Sequence, residues 1–151
     1  MNKTVSVIIL VLMSCIILGC AAPRQRLATA SGNPEIVING TTKKQITDLL
    51  VSSKLGDGFQ VKTVNDYSLV VTKTIDDFAA KVAYGSKYNR TPEARVTYNF
   101  VDVGGGVKVF VRSEMVTNPN SQYESATDFT STWGEHAQNE LSRIKAMLEK
   151  K

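Results

Sequence analysis

The chain has 151 residues, with 18 lysines and arginines against 14 aspartates and glutamates and a formal net charge of +4 at pH 7. That length predicts one domain. The basic residues are scattered singly, whereas nucleic-acid binding requires a basic stripe or a recognised module. We therefore predict no nucleic-acid partner.

The N-terminal stretch has the layout of a secretory signal peptide. Lys3 gives a positive start, residues 4–18 are almost wholly apolar, and small residues follow. A membrane-spanning helix needs about 20 apolar residues, and this run is shorter and is followed by the polar stretch from Pro23. These features predict a signal peptide, with a retained membrane helix as the alternative.

The sequence Ile17-Leu18-Gly19-Cys20 resembles the lipobox of bacterial lipoproteins. The resemblance implies that residues 1–19 are a signal peptide and that Cys20 becomes a lipidated N-terminus, which anchors the protein stably when two or three chains are attached. Ala21 after the cysteine implies sorting to the outer membrane, with the domain facing the periplasm or exposed at the cell surface. Cys15 ends a second, poorer match.

The rest of the chain divides into a tether and a domain. Residues 20–34 contain the lipidated cysteine and a stretch of polar and small residues with two prolines, which predicts a flexible tether. Residues 35–151 form a single domain. With Cys15 removed and Cys20 lipidated, this domain has no thiol for a disulfide or a thiolate metal site. We predict no metal and no cofactor.

The first half of the domain predicts a strand, a helix and a hairpin. Thr42 and Gln45 form a capping-box pattern, and we expect Gly56 to cap the end of that helix. Asp76 and Asp77 favour a second helix, although the preceding strand running on to Ile75 is the alternative. The predicted elements are strand 35–39, helix 42–54, strands 59–64 and 67–72, and helix 76–82.

The second half predicts a hairpin and a long helix. Strands 94–100 and 107–112 alternate between apolar and polar residues on either side of a glycine turn, 104–106. A polar loop is expected over 118–126. From Phe129 onward an apolar stripe of helical period predicts a helix to Leu148, with Glu140 on a polar face; the stripe consists of Trp133, Ala137, Leu141, Ile144 and Leu148.

This order, β-α-β-β-(α)-β-β-α, predicts an α+β fold. We expect a two-layer sandwich in which an antiparallel sheet of about five strands has helices packed on one face. The layout is similar to that of small accessory lipoproteins of envelope assembly with helix-grip domains. The likeness covers residues 36–148, involves no shared motif and implies no functional residues.

No pattern of catalytic residues is found. His136 is the sole histidine, so it lacks a second histidine for a zinc motif, and a place on a helix surface is predicted for it. A strand follows the glycine run 104–106, which favours a hairpin turn over a phosphate-binding loop. Asp76 and Asp77 are adjacent and do not face each other on a helix. We predict that the protein is not an enzyme, with an envelope hydrolase as the least favoured alternative.

Aromatic residues on loops and on one strand face are the candidates for an interface. Such side chains serve as interface anchors, or they cap a core instead. The candidates are Tyr84, Tyr88, Arg90, Phe110 and Tyr123.

These observations favour a lipid-anchored accessory module that binds another envelope protein. The alternative is a carrier of a small ligand or lipid. That alternative predicts a pocket between the sheet and the C-terminal helix, lined by residues such as Tyr98, Val109 and Leu141.

Overall fold

The structure is a computed structural model that describes residues 26–150, so the predicted signal peptide and the predicted lipidation site Cys20 lie outside the described residues. The described part confirms the α+β prediction. Its elements are β1 Glu35–Asn39, α1 Lys43–Gly56, β2 Gln60–Val64, β3 Ser68–Thr74, α2 Phe78–Tyr84, β4 Glu93–Val103, β5 Gly106–Thr117, β6 Ser125–Asp128 and α3 Gly134–Leu148. The six strands form one antiparallel sheet in the order β2-β3-β4-β5-β1, with β6 paired to the second half of β5.

The long hairpin of β4 and β5 is the centre of the sheet. Gly104 and Gly105 turn the chain with φ of +30° and +89°, a backbone conformation that glycine adopts without steric penalty. The predicted alternation is confirmed, since the side chains on one face are buried: Ala94, Val96, Tyr98 and Phe100 on β4, and Val107, Val109 and Val111 on β5.

Helices α1 and α3 cover this buried face and complete the core. Ile46 and Leu50 from α1 and Leu141 from α3 are fully inaccessible to solvent, and Ala137 and Ile144 are nearly so. All of them belong to one apolar cluster with the inward residues of β3, β4 and β5. The two-layer arrangement follows from these two apolar helix faces.

The N-terminal cap of α1 is as predicted, whereas its C-terminal cap differs from the prediction. Thr42 and Gln45 make the reciprocal capping-box hydrogen bonds. Gly56 is still helical, and the left-handed residue is Gly58, with φ of +80°. The amide of Phe59 donates to the carbonyl of Lys54 at 2.9 Å, so the chain leaves the helix by a Schellman turn two residues later than expected.

The segment before α3 departs from the prediction. Residues 125–128, of which the first two fall in the expected loop 118–126, form β6 beside β5. The helix expected from Phe129 begins at Gly134. The amide of Phe129 donates to the carbonyl of Ser113 at 2.8 Å, and Asp128 accepts a hydrogen bond from the amide of Thr130. These bonds hold the backbone in a turn and delay the helix by five residues.

Side chains of α3 satisfy the outer backbone edge of β1. Gln138 accepts from the amide of Glu35 at 3.0 Å and donates to its carbonyl at 3.1 Å. Lys145 donates to the carbonyl of Val37 at 2.6 Å. The backbone amide of Asn39 donates to Glu149 at 2.7 Å. The polar groups that an edge strand leaves unpaired are therefore bound by the helix.

The opposite edge of the sheet is exposed. Every residue of β2 is exposed, and Tyr67, which falls in the predicted strand 67–72, precedes β3 and is 72% accessible. Leu69 and Val71 in β3 are buried. The hairpin therefore extends beyond the surface that α1 and α3 cover.

A short turn precedes β1, within the range predicted as a tether. The amide of Leu27 donates to the carbonyl of Gly32 at 3.2 Å, and the carbonyl of Pro34 accepts from Val111 at 3.0 Å. A Cβ atom placed on Gly134 would lie 3.3 Å from Cδ1 of Leu27, so Leu27 reaches the start of α3. Among residues 26–150, no helix is both long and apolar enough to span a bilayer.

Candidate binding groove

A groove opens between the inner face of the sheet, the end of α1 and the first three turns of α3. Its volume is about 720 Å³, within the range of small-molecule sites. The apolar part of its lining consists of Phe59, Ile75, Ala94, Val96, Trp133 and Ala137. The polar part includes Lys54, Asp57, Lys73, Tyr98, Glu140 and Arg143.

A buried ion pair lies at the floor of the groove. Lys54 Nζ is 2.8 Å from Glu140 Oε1, and each side chain is only 6% exposed. Tyr98 donates its hydroxyl hydrogen to Glu140 Oε2 at 2.8 Å. The pair thus joins α1, β4 and α3 at one point.

The ion pair leaves polar atoms at the floor of the groove without a full set of hydrogen bonds. Glu140 Oε1 has no hydrogen-bond partner among the described residues, although it lies close to Lys54 Nζ. Lys54 Nζ also lies 3.7 Å from Asp57 Oδ2, so it faces two carboxylates. An ammonium carries three donors, which leaves Lys54 able to bind one further acceptor.

The helical period accounts for the inward position of Lys54. Ile46, Leu50 and Lys54 follow at intervals of four on α1, and all three are buried. Residues at this spacing share a helix face. The lysine therefore occupies a core position, and this stripe is the signal that the sequence analysis did not use.

Glu140 is a correction to the sequence-based expectation. The sequence predicts a polar face of α3 for Glu140, but this residue is 7% exposed and pairs with Lys54. It precedes Leu141, which is fully buried. The buried face of α3 is therefore wider than the apolar stripe alone.

The tyrosine at the floor remains protonated far into the alkaline range. Burial raises the pKa of Tyr98 well above its usual value, and the negative charge of Glu140 and the hydrogen bond to it raise the pKa further. Both effects disfavour the phenolate. Tyr98 therefore acts as a hydrogen-bond donor on the groove floor rather than as a base.

Further cations line the rim. Lys73 donates to the carbonyl of Asp57 at 2.7 Å, and the ring of Phe59 lies between Lys54 and Lys73, with nitrogen-to-centroid distances of 5.2 and 5.6 Å. Arg143 is exposed at the rim and has no ion-pair partner among residues 26–150. The charged end of the groove therefore has an unneutralised cation.

The groove differs from the pocket that a carrier was expected to have. Tyr98 lines it, but Val109 and Leu141 are fully buried in the core. His136 lies at the groove wall and is exposed, as predicted. Within the described residues, no cluster of histidine, cysteine and acidic side chains has the arrangement of a metal site.

The structure brings together two of the predicted interface residues. The rings of Tyr88 and Tyr123 stack with centroids 5.0 Å apart, and these residues are 63% and 53% exposed. Asn118, from the loop of Tyr123, hydrogen-bonds to Ser86 in the loop of Tyr88. Arg90 is exposed in the latter loop.

The two other aromatic candidates lie elsewhere and are half-buried. Tyr84 packs edge-on against Phe129 at a centroid distance of 5.3 Å. Phe110 lies on the outer face of the sheet, where Lys108 Nζ is 4.7 Å from its ring centroid. Phe110 is therefore less exposed than the sequence indicated.

Comparisons with known proteins give no further assignment: no model of a protein family and no curated protein sequence matches this chain.

Proposed function

We propose that this chain is a lipoprotein, anchored through Cys20 in the outer membrane of a bacterium, that binds a small ligand in the groove between the sheet and α3. The observation that carries the ligand-binding part is an open groove with a buried lysine–glutamate pair at its floor. The anchoring part depends on the lipobox-like sequence that ends at Cys20.

A buried ion pair contributes little net stability to a fold. Transferring two charges out of water costs several kcal/mol per ion, and a well-packed apolar pair in its place is often as stable or more so. Lys54 and Glu140 nevertheless lie at the floor of the main concavity. Charged groups desolvated in a cleft are typical of binding and catalytic sites, which favours recognition of a polar or charged ligand group.

The test of ligand binding is native mass spectrometry of the mature chain, residues 20–151, with Cys20→Ser to keep it soluble. We expect the chain to retain a small molecule when it is recovered from the periplasm. Ile75→Asp places a charge on the apolar groove wall and should abolish this added mass. Val64→Asp, on the exposed edge strand β2, is the matched control and should retain it. If both variants retain the added mass equally, the groove is not the ligand-binding site.

The test of anchoring is incorporation of labelled palmitate into the full-length chain. We expect label in the wild type and in Cys15→Ser and none in Cys20→Ser. Persistent label in Cys20→Ser would move the anchor to Cys15. Absence of label from every form, with the protein still in the membrane, would mean that the apolar N-terminal run is a retained helix.

A second candidate function is binding of another envelope protein through the stacked Tyr88 and Tyr123. Their exposure favours it, because aromatic side chains are enriched at the energetic centres of interfaces. A photo-crosslinking residue at Tyr88 in growing cells should trap one defined partner. The same residue at Tyr67, which is 72% exposed, should not, and identical products from both sites would rule out a specific surface.

A further inference from the structure

The two ends of the groove can be located along α3 and β4. Trp133, the N-cap residue of α3, and Arg143 both line the groove and are ten residues apart, a separation of about 15 Å along the helix axis. On the sheet side, Ala94 and Tyr98 are four residues apart on β4, or about 13 Å. Because Tyr98 contacts Glu140, the charged groups lie toward the Arg143 end of the groove.

The two ends differ in chemistry. Ile75, Ala94 and Trp133 supply an apolar lining at one end. At the other end Lys54 lies 2.8 Å from Glu140 and 3.7 Å from Asp57. Arg143, which has no ion-pair partner among the described residues, and Lys73, which donates to the carbonyl of Asp57, bring the cations to three against two carboxylates. An occupant that matches both ends has an apolar body and an anionic head.

The apolar end lies beside the start of the described chain. Leu27 reaches Gly134, the residue after Trp133. Six residue steps separate Cys20 from Arg26, which limits their separation to about 20 Å. A lipid anchor at Cys20 therefore holds the Trp133 end of the groove close to the bilayer, where amphiphiles are available.

We propose, building on the ligand-binding function above, that the groove binds a single-chain fatty acid with its carboxylate at Lys54 and Arg143 and its chain directed toward Trp133. The carboxylate accepts charge-assisted hydrogen bonds from both cations. The volume of about 720 Å³ suits one chain, since drug-sized ligands occupy sites of roughly 300–1,000 Å³.

Trp133 provides the assay, because it is the sole tryptophan of the chain. Fatty acids brominated at different carbons are titrated into residues 20–151 with Cys20→Ser, and quenching of the tryptophan fluorescence is recorded. Bromine near the methyl end should quench strongly, and bromine beside the carboxylate should quench weakly. The reverse order would overturn the proposed orientation.

Two further titrations test the anionic head. Arg143→Gln should weaken binding about tenfold, the equivalent of roughly 1.4 kcal/mol. Arg90→Gln removes the same charge from an exposed loop outside the groove lining and should leave affinity unchanged. The methyl ester of the same acid should bind at least about tenfold more weakly than the acid, because it cannot act as a charged acceptor.

Three outcomes distinguish the fatty-acid proposal from the broader proposal that the groove binds a small ligand. Equal affinity of ester and acid, with quenching retained, would exclude a fatty acid and keep the groove as an apolar ligand site. If a lysophospholipid binds more tightly than any fatty acid, the ligand head group at Lys54 and Arg143 is a phosphate rather than a carboxylate. If no amphiphile quenches Trp133 and native mass spectrometry shows no ligand either, the ligand-binding function itself fails.

Discussion

Replacing Lys54 by methionine should destabilise the fold far more than the same change on the surface. The reason is that Glu140 would remain as a buried carboxylate without its cation. At 2.8 Å and an effective dielectric constant of about 20, the attraction between the two charges is about 6 kcal/mol before desolvation is subtracted. Removal of one partner of such a pair typically costs 3–5 kcal/mol. We expect about 3 kcal/mol, because the groove admits water.

A double-mutant cycle measures the coupling. Glu140→Gln retains an acceptor for Tyr98 and removes the charge, so it leaves Lys54 only Asp57 at 3.7 Å and should cost somewhat less, about 2 kcal/mol. The double variant leaves no buried charge and should cost no more than either single change, which gives a coupling free energy of about 3 kcal/mol. The assay is urea unfolding at pH 7 of residues 20–151 with Cys20→Ser.

The control is an ion pair of the same kind in water. Lys44 and Asp48 are 2.7 Å apart, but their side chains are 82% and 63% exposed. The corresponding cycle should give less than about 0.5 kcal/mol. If the two cycles give equal couplings, or if the Lys54 and Glu140 changes are additive within about 0.5 kcal/mol, burial does not determine the strength of the groove pair.

Two further predictions concern the floor of the groove and the β1 edge. Because the pKa of Tyr98 is raised in the folded chain, its contribution to the free energy of unfolding is present below about pH 10 and is lost as pH rises further. Alkaline titration of phenolate absorbance should show Tyr98 ionising only as the chain unfolds, and Tyr98→Phe should remove this late step; ionisation without unfolding would contradict its burial. Gly106→Ala should destabilise by about 2 kcal/mol, since the new Cβ would lie 2.5 Å from the carbonyl oxygen of Ile38. Gly56→Ala, at the last position of α1 with open space around it, should leave stability unchanged or raise it by up to about 1 kcal/mol in chemical unfolding.

Local patterns predicted the centre of the sheet and both long helices. The β4–β5 hairpin alternates from Glu93 to Phe100 and from Val107 to Met115, and one buried face imposes that period. β6 was missed because its four residues, Ser125–Asp128, are all exposed and have no apolar period to detect. Its position depends on pairing with β5, which no local pattern of polar residues encodes.

The charged floor of the groove was missed for a related reason. Lys54 occupies the third position of a buried helical stripe after Ile46 and Leu50, but a lysine there is ordinarily assigned to solvent. Its inward orientation depends on Glu140 and Tyr98, which come from another helix and a strand. A lysine at a core-facing position of α1 was the only sign of the buried ion pair in the sequence, and it did not indicate which residue would pair with it.

The contacts of α3 with β1 also set an order of events during synthesis. The bonds from Gln138, Lys145 and Glu149 to β1 join residues 103 to 110 positions apart. A ribosome therefore adds at least 103 residues after Glu35 before this edge of β1 has a partner, and contacts of such separation form slowly. Until then β1 exposes unpaired backbone groups, which are a template for association with other chains. A premature stop after Ile144 would remove the bonds from Lys145 and Glu149 to that edge but keep Gln138 and the groove residue Arg143. Aggregation through the partly open edge, rather than loss of ligand binding, would be its first consequence.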